Sequence, residues 1–222
     1  MQSVASFIIN LGGKLMLLIH AVEDRRIRRT KRNLKRALIS LMNEKGYRSI
    51  TVTYIVDLAD YNRTTFYRHY QDKEELANGL VDDMIDELTT AFRFPYKNNN
   101  FVKVDALSPS NVVIFDHILK NADFYKLWKG SEGIPGFQEK FINTLIKLHK
   151  NDINYFPNQQ TDINDDYFIT YRAYGVWGLI VNWIKDDFKT PSHDMANQLI
   201  RIINYHPLRE YETRNIDKTF IR

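Results

Sequence analysis

Apolar residues recur every three or four positions along most of the chain, and no stretch of any length alternates as a β-strand would. The stretch from Thr30 to Gly46 predicts a first helix, with Gly46 ending it and with these residues facing inward: Leu34, Ala37, Leu38, Leu41 and Met42. Lys73 to Phe92 predicts a long amphipathic helix. The pattern therefore indicates an all-α fold.

Between these two helices, Ile50 to Leu76 predicts two short helices joined by a tight turn. Thr51 and Asn62 are suited to cap them, because their side-chain oxygens can accept unpaired amide protons. Phe66 and Tyr70 lie four apart and define the inner face of the second short helix. Hydroxyl and guanidinium side chains then occupy its outer face, which is what reading the major groove of DNA requires. The segment is predicted to be a helix-turn-helix.

At these residues the chain resembles the TetR family of bacterial transcriptional regulators. The resemblance covers roughly Thr30 to Leu88 and rests on Thr51-Val52, Thr65-Phe66-Tyr67 and the run from Asp72 to Leu76. Asp60 stands where the family usually has glycine in the turn, and aspartate tolerates left-handed backbone better than most residues. The resemblance implies a three-helix DNA-binding domain over 22–88, followed by a helical ligand-binding and dimerisation domain over 89–222.

The family's roles carry over to matching positions. Arg63 and Thr64 are expected at base edges, where an arginine can contact guanine through two hydrogen bonds. Tyr67 could instead be packing, and His69 could be an ordinary surface histidine. The full set of expected DNA-binding residues is Thr51, Thr53, Tyr54, Asn62, Arg63, Thr64, Thr65, Tyr67, Arg68, His69 and Lys73.

Charge placement agrees with this reading, although the net charge of +4 is mild. Basic residues crowd the entrance to the first predicted helix, from Arg25 to Arg36, whereas acidic residues gather later, from Asp82 to Glu87. The segment from Arg25 to Arg32 is expected to follow the DNA backbone or to enter a minor groove. A solvated charged arm without a partner is the alternative.

The C-terminal part carries a second signal. Asp166 to Phe188 is apolar on nearly every side, and Gly175 and Gly178 lie in its middle, where they would let another helix approach closely. We expect this helix and the next to pair with their copies in a homodimer; a monomeric core is the alternative. This part also resembles a Firmicutes-type subgroup close to dihydroxyacetone kinase regulators. The expected dimer-interface residues are Tyr171, Tyr174, Gly175, Gly178, Val181, Leu199 and Ile203.

The resemblance further implies a small-molecule effector that changes the spacing of two reading heads on a palindromic operator, most simply to relieve repression. The candidate ligand-binding residues are Phe115, Trp128, Phe141 and Arg172, although aromatic residues at helical spacing are more often core. A regulator that acts through a protein partner, without reading DNA directly, is the alternative function.

Other classes of function find no support in the sequence. The chain has no cysteine, and its six histidines lack metal-ligand spacing, so no catalytic residue, metal or cofactor is expected. Residues 1–15 are predicted to be a translated leader or a disordered extension, with translation starting at Met16. They match neither a signal peptide nor a membrane span, which favours a cytoplasmic protein without a membrane partner.

Overall fold

A computed structural model describes residues 4–97, 107–129, 133–153 and 162–205, with side chains from residue 24 onward except that of Tyr96. The described residues form helices joined by turns and include no strand, which confirms the all-α prediction. The helices are α1 (Val4–Lys45), α2 (Val52–Ala59), α3 (Arg63–Tyr67), α4 (Lys73–Arg93), α5 (Ile114–Lys120), α6 (Ala122–Tyr125), α7 (Phe137–Asp152), α8 (Asp165–Lys185) and α9 (Ser192–Asn204).

The first four helices build the head of the molecule. Leu34 and Leu38 of α1, Ile55 of α2, Phe66 of α3 and Leu76 of α4 are all fully buried and share one core. Gly46 ends α1 as predicted, with a φ of 75° that favours glycine. The helix itself begins at Val4, whereas the apolar pattern predicts a start at Thr30. Translation from Met16 stays a prediction.

Helix α4 connects the head to the body, and ion pairs join it to both. Asp83 of α4 pairs with Lys35 of α1 at 2.5 Å, and Lys35 also donates to the carbonyl of Gly79 at 2.7 Å. At the far end, Arg93 pairs with Asp152 of α7 at 2.7 Å. The helix that leaves the reading head is therefore bound to the head at one end and to the body at the other.

The body is organised around packed aromatic rings, and three of the candidate ligand-binding residues lie among them. Phe115 and Phe141 are fully buried and Trp128 is 7% exposed. Trp128 packs edge to face on Phe141, with ring centroids 5.0 Å apart, and Phe115 packs in the same way on Trp183 at 5.6 Å. All three belong to the hydrophobic core of the chain, and their role in binding a ligand stays a prediction.

The last two helices pack against this aromatic core. Trp183 of α8 donates its indole N–H to the carbonyl of Thr190 at 2.7 Å, which fixes the turn between α8 and α9. Helix α9 begins at Ser192, with Pro191 in the capping position. No helix in the described part of the chain carries an apolar run long enough to cross a membrane.

Candidate nucleic-acid interface

The turn between α2 and α3 sets the geometry of the interface. Asp60 adopts the left-handed conformation, with φ 57° and ψ 48°, as the sequence predicts. The N–H of Asp60 donates to the carbonyl of Asp57 at 3.3 Å, and the N–H of Tyr61 donates to the carbonyl of Val56 at 2.9 Å. These bonds satisfy carbonyls at the end of α2, so the chain reverses tightly and α3 starts two residues later.

Both predicted caps are present. The hydroxyl of Thr51 accepts from the amide of Tyr54 at 3.4 Å at the start of α2. The side chain of Asn62 accepts from the amide of Thr65 at 2.8 Å at the start of α3. A helix of only five residues gains little from its own hydrogen bonds, so the Asn62 cap and the burial of Phe66 hold α3 in place.

Helix α3 has a buried aromatic side and an exposed polar side. Phe66 is fully buried and Tyr70 is 6% exposed, with ring centroids 5.8 Å apart. On the outside, Arg63, Thr64 and Arg68 are exposed, and Tyr67 is 56% exposed. The ring of Tyr67 also packs edge to face on Phe66, with centroids 5.5 Å apart, so its contact with DNA stays a prediction.

Helix α2 contributes to the same surface. The guanidinium of Arg63 donates a hydrogen bond to the hydroxyl of Thr53, so these two predicted residues lie together. Tyr54 is 46% exposed, and the ammonium group of Lys45 lies 4.6 Å from the centre of its ring. Lys45, which the sequence interpretation missed, thereby adds a cation to the α2 side; its position in the last turn of α1 was the available signal.

His69 follows α3 in a half-buried position. Burial lowers its pKa below the usual value, and the charges of Lys31 and Arg68 lower it further. Lys31 comes from α1, and its ammonium group lies 5.7 Å from the ring centre of Tyr70. Positive charge from α1 and from the end of α3 therefore converges beside His69.

Lys73, predicted to contact a phosphate, makes its contacts within the head. Its ammonium group donates to the carbonyls of Tyr47 at 3.1 Å and Ile50 at 3.0 Å, and it lies 4.5 Å from the ring centre of Tyr47. The side chain therefore holds the loop between α1 and α2 against the start of α4. The carboxylate of Asp72 already accepts from the amide of Glu75 at 2.7 Å at this helix start, so the expected contact of its amides with a phosphate stays a prediction.

Helix α8 presents an exposed face to the outside of the body. Tyr171 is 77% exposed, Tyr174 is 50% exposed, and an added Cβ on Gly175 or Gly178 would meet nothing within 4 Å. Val181 and Ile203 are half-buried. Leu199, also expected in the dimer interface, is 8% exposed and packs in the core of its own chain, so its place in an interface stays a prediction.

Two polar features mark the body. Arg172 is half-buried, and its guanidinium lies 5.6 Å from the ring centre of Phe168, so its role as a ligand residue stays a prediction. An open cleft of about 470 Å³ separates α4 from α5. It is lined by Asp86, Glu87, Thr90, Ala91, Phe94, Val113, Asp116, His117 and Lys120.

Comparison with known proteins identifies the family. Residues 36–80 match the model described as bacterial regulatory proteins, tetR family, and residues 105–205 match a TetR-type transcriptional regulator C-terminal region. The chain belongs to the TetR family. It is a TetR-family transcriptional regulator, a class of proteins without enzymatic activity, and the helix-turn-helix predicted from the sequence is confirmed.

Individual TetR-family relatives are distant. An uncharacterised HTH-type transcriptional regulator of Bacillus subtilis (strain 168), YxbF, is 24% identical over 82% of this chain. The chain spans only 46% of that relative's length. A TetR transcriptional regulator from Streptococcus agalactiae 2603V is 26% identical, covers 83% of this chain and 98% of its own, and has a TM-score of 0.56.

A further solved structure shares the fold. The dihydroxyacetone kinase operon activator DhaS is 18% identical, with 78% of this chain and 93% of that chain covered and a TM-score of 0.57. The resemblance to dihydroxyacetone kinase regulators, predicted from the C-terminal residues, is thus matched by a structural neighbour.

Proposed function

We propose that this TetR-family protein is a homodimeric repressor whose two α3 helices read a palindromic operator. The observation that carries the proposal is the division of α3 into a buried side, with Phe66 fully covered, and an outer side on which Arg63, Thr64 and Tyr67 are exposed. Apolar packing holds the buried side of α3 against the head, and hydrogen-bond donors and hydroxyls lie on its exposed side. Such a helix meets the requirements for insertion into a major groove.

The exposed face of α8 supports the homodimer. Tyr171 leaves more than three quarters of its surface in water, and Gly175 and Gly178 have open space above them. Together they form an apolar, low-relief strip on α8. Covering such a strip with its own copy removes apolar area from water and lets two helix backbones approach closely. Two-fold symmetry would then present two α3 helices to two half-sites.

The effector is proposed to act where α4 meets α5. Since α4 carries the reading head and α5 belongs to the body, a ligand that enters the cleft between them would bind one arrangement of the two helices better than the other. That difference in affinity is what an effector needs in order to change the spacing of the heads. Heads that no longer match the spacing of the two half-sites would release the DNA, and repression would be relieved.

Footprinting of the purified protein on the DNA upstream of its own gene tests the proposal. Two protected segments are expected, with centres about 34 Å or a multiple of that distance apart. A single protected segment would contradict the dimeric arrangement. Absence of protection on DNA, together with retained regulation in cells, would favour action through a protein partner.

A further inference from the structure

We propose that Glu87 of α4, His117 of α5 and Asn121, which follows α5, form a pH switch between these two helices. A proton that binds Nδ1 of His117 replaces the bridge made by the Asn121 amide with a direct ion pair between His117 and Glu87. The inference rests on the proposed function, because it assigns the proton as a regulator of the cleft in which the effector is proposed to act.

His117 is a buried titratable group at this cleft. It is 7% exposed and lines the cleft between α4 and α5. Its Nε2 atom lies 2.8 Å from the hydroxyl of Tyr125 in α6, and the two rings pack edge to face with centroids 5.6 Å apart. The ring is therefore held by α6 on one side while its other nitrogen faces α4.

The hydrogen bonds around Asn121 fix the tautomer of neutral His117. The amide nitrogen of Asn121 lies 3.2 Å from Oε2 of Glu87 and 3.0 Å from the carbonyl of His117, and because both oxygens accept, this nitrogen is a donor. The same nitrogen lies 3.2 Å from Nδ1 of His117, which must therefore accept. The ring proton is then on Nε2, which donates to the hydroxyl of Tyr125.

A proton on Nδ1 is incompatible with this arrangement. Two donors, Nδ1–H and the Asn121 amide, would then face each other, so the bond between them is lost. Nδ1 already lies 3.5 Å from Oε2 of Glu87, whereas a hydrogen bond between a charged nitrogen and a carboxylate is about 2.8 Å long. Closing this gap draws α4 toward α5, and solvent in the open cleft supplies the proton.

The charges around His117 set the pH range of the switch. Burial lowers the pKa of His117 below its usual value, the Glu87 carboxylate opposes this effect, and the Lys120 ammonium adds to it. Lys120 lies 3.5 Å from the same oxygen of Glu87, and Asp86 and Asp116 line the cleft as well. His117 is therefore neutral near pH 7 and gains its proton below about pH 6.5.

The position of α4 matters for the reading head. Asp83, one turn before Glu87, pairs with Lys35 of α1 at 2.5 Å. Drawing Glu87 toward α5 narrows the cleft that the effector is proposed to enter, so the proton favours the effector-free arrangement that binds DNA. Affinity for the operator should therefore rise as His117 becomes protonated.

The first measurement is an NMR titration of the His117 ring in full-length wild-type protein with isotope-labelled histidine, free and bound to DNA from upstream of the gene. Coupling between two sites is reciprocal, so His117 should bind a proton at least about fivefold more tightly in the DNA complex than in the free protein. Through-bond correlations identify the ring, and the measurement therefore does not depend on the folding of a variant.

The second measurement uses Glu87→Gln, which keeps the shape of the side chain and removes its charge. The proton affinity of His117 should fall in this variant and become equal in the free and the DNA-bound protein. Fluorescence anisotropy should show a smaller rise in operator affinity between pH 7.5 and 5.5 than in the wild type. Glu139→Gln, at an exposed position of α7, is the matched control and should behave as the wild type does.

Three results would overturn the inference while leaving the proposed function intact. They are an equal proton affinity of His117 in free and DNA-bound wild-type protein, a lower affinity in the complex, and a proton affinity that Glu87→Gln leaves unchanged. Failure of the wild-type protein to bind the upstream DNA at either pH would overturn the proposed function together with the inference.

Discussion

The guanidinium of Arg63 donates a hydrogen bond to the hydroxyl of Thr53, so the first residue of α3 is tied to the helix that precedes it. A long side chain that is already ordered loses less conformational entropy when it meets a base. The pair therefore links the packing of α2 to the reading of DNA by α3.

Replacing Thr53 by valine should weaken operator binding without unfolding the head. The isosteric side chain keeps the volume but removes the acceptor that orients Arg63, at a cost of about 0.5–1.5 kcal/mol of binding free energy. Titration of fluorescent operator DNA measures the change. Thr144→Val on α7, where the hydroxyl only donates to the carbonyl of Lys140 at 2.8 Å, is the matched control. Equal affinity of the Thr53→Val variant and the wild type would show that the bond does not position Arg63 for DNA.

Lys73→Met should destabilise the head and leave the salt dependence of DNA binding nearly unchanged. The variant leaves the carbonyls of Tyr47 and Ile50 without this donor, which costs about 1–3 kcal/mol in the free energy of unfolding. Urea unfolding measures this loss, and Lys147→Met at an exposed position should show almost none. A fall of about one in the salt slope, with unchanged stability, would restore the phosphate role first predicted for Lys73.

The Gly178→Leu substitution distinguishes a monomeric protein from a homodimer that packs through α8. In the isolated chain the added side chain meets open space, and removing glycine from a helix interior should stabilise the monomer by up to about 1 kcal/mol. In a close-packed dimer the same side chain should clash and reduce association. Sedimentation velocity at several concentrations measures the shift toward monomer, with Asn143→Leu on the exposed side of α7 as control. An unaffected dimer would place the interface elsewhere.

Stability should fall as the pH drops below about 6.5. Burial lowers the pKa values of His117 and His149, against the opposing effect of the Glu87 carboxylate on His117 and of the Leu145 carbonyl on His149. Both histidines are then neutral in the folded chain, whereas unfolded chains bind protons near pH 6.5. Stability is therefore fully present above that pH and is lost below it, by at most about 1.4 kcal/mol per pH unit for each histidine.

Urea unfolding at pH 7.5 and 5.5 measures this dependence. His117→Gln/His149→Gln should show a smaller loss between the two pH values than the wild type, because the variant lacks both protonation sites. Identical losses would contradict the buried neutral state of the two rings.

Local rules predicted the reading head well. Thr51 and Asn62 cap α2 and α3, Asp60 takes the left-handed turn, and Phe66 faces inward. Each of these outcomes depends on residues within four or five positions of one another, so the sequence pattern contains nearly all of the required information.

The body was harder to predict because the packing of its side chains depends on residues that are distant in the sequence. Whether Phe141 lines a pocket or packs in the core depends on Trp128, which another segment of the chain brings to it. Leu199 has the same apolar character as an interface residue, and only the packing of α9 on the body decides that it is buried within its own chain. Periodicity shows that a face is apolar but does not show which surface covers it.

The central claim is that the exposed side of α3 reads base sequence. The most direct measurement compares the wild type with Arg63→Ala/Thr64→Ala for binding to the DNA upstream of the gene and to random duplex at one fixed salt concentration. The account predicts that the wild type prefers the upstream DNA and that the variant loses most of that preference, with about 1–3 kcal/mol lost for the arginine contact alone. A variant that keeps the full preference would contradict the account.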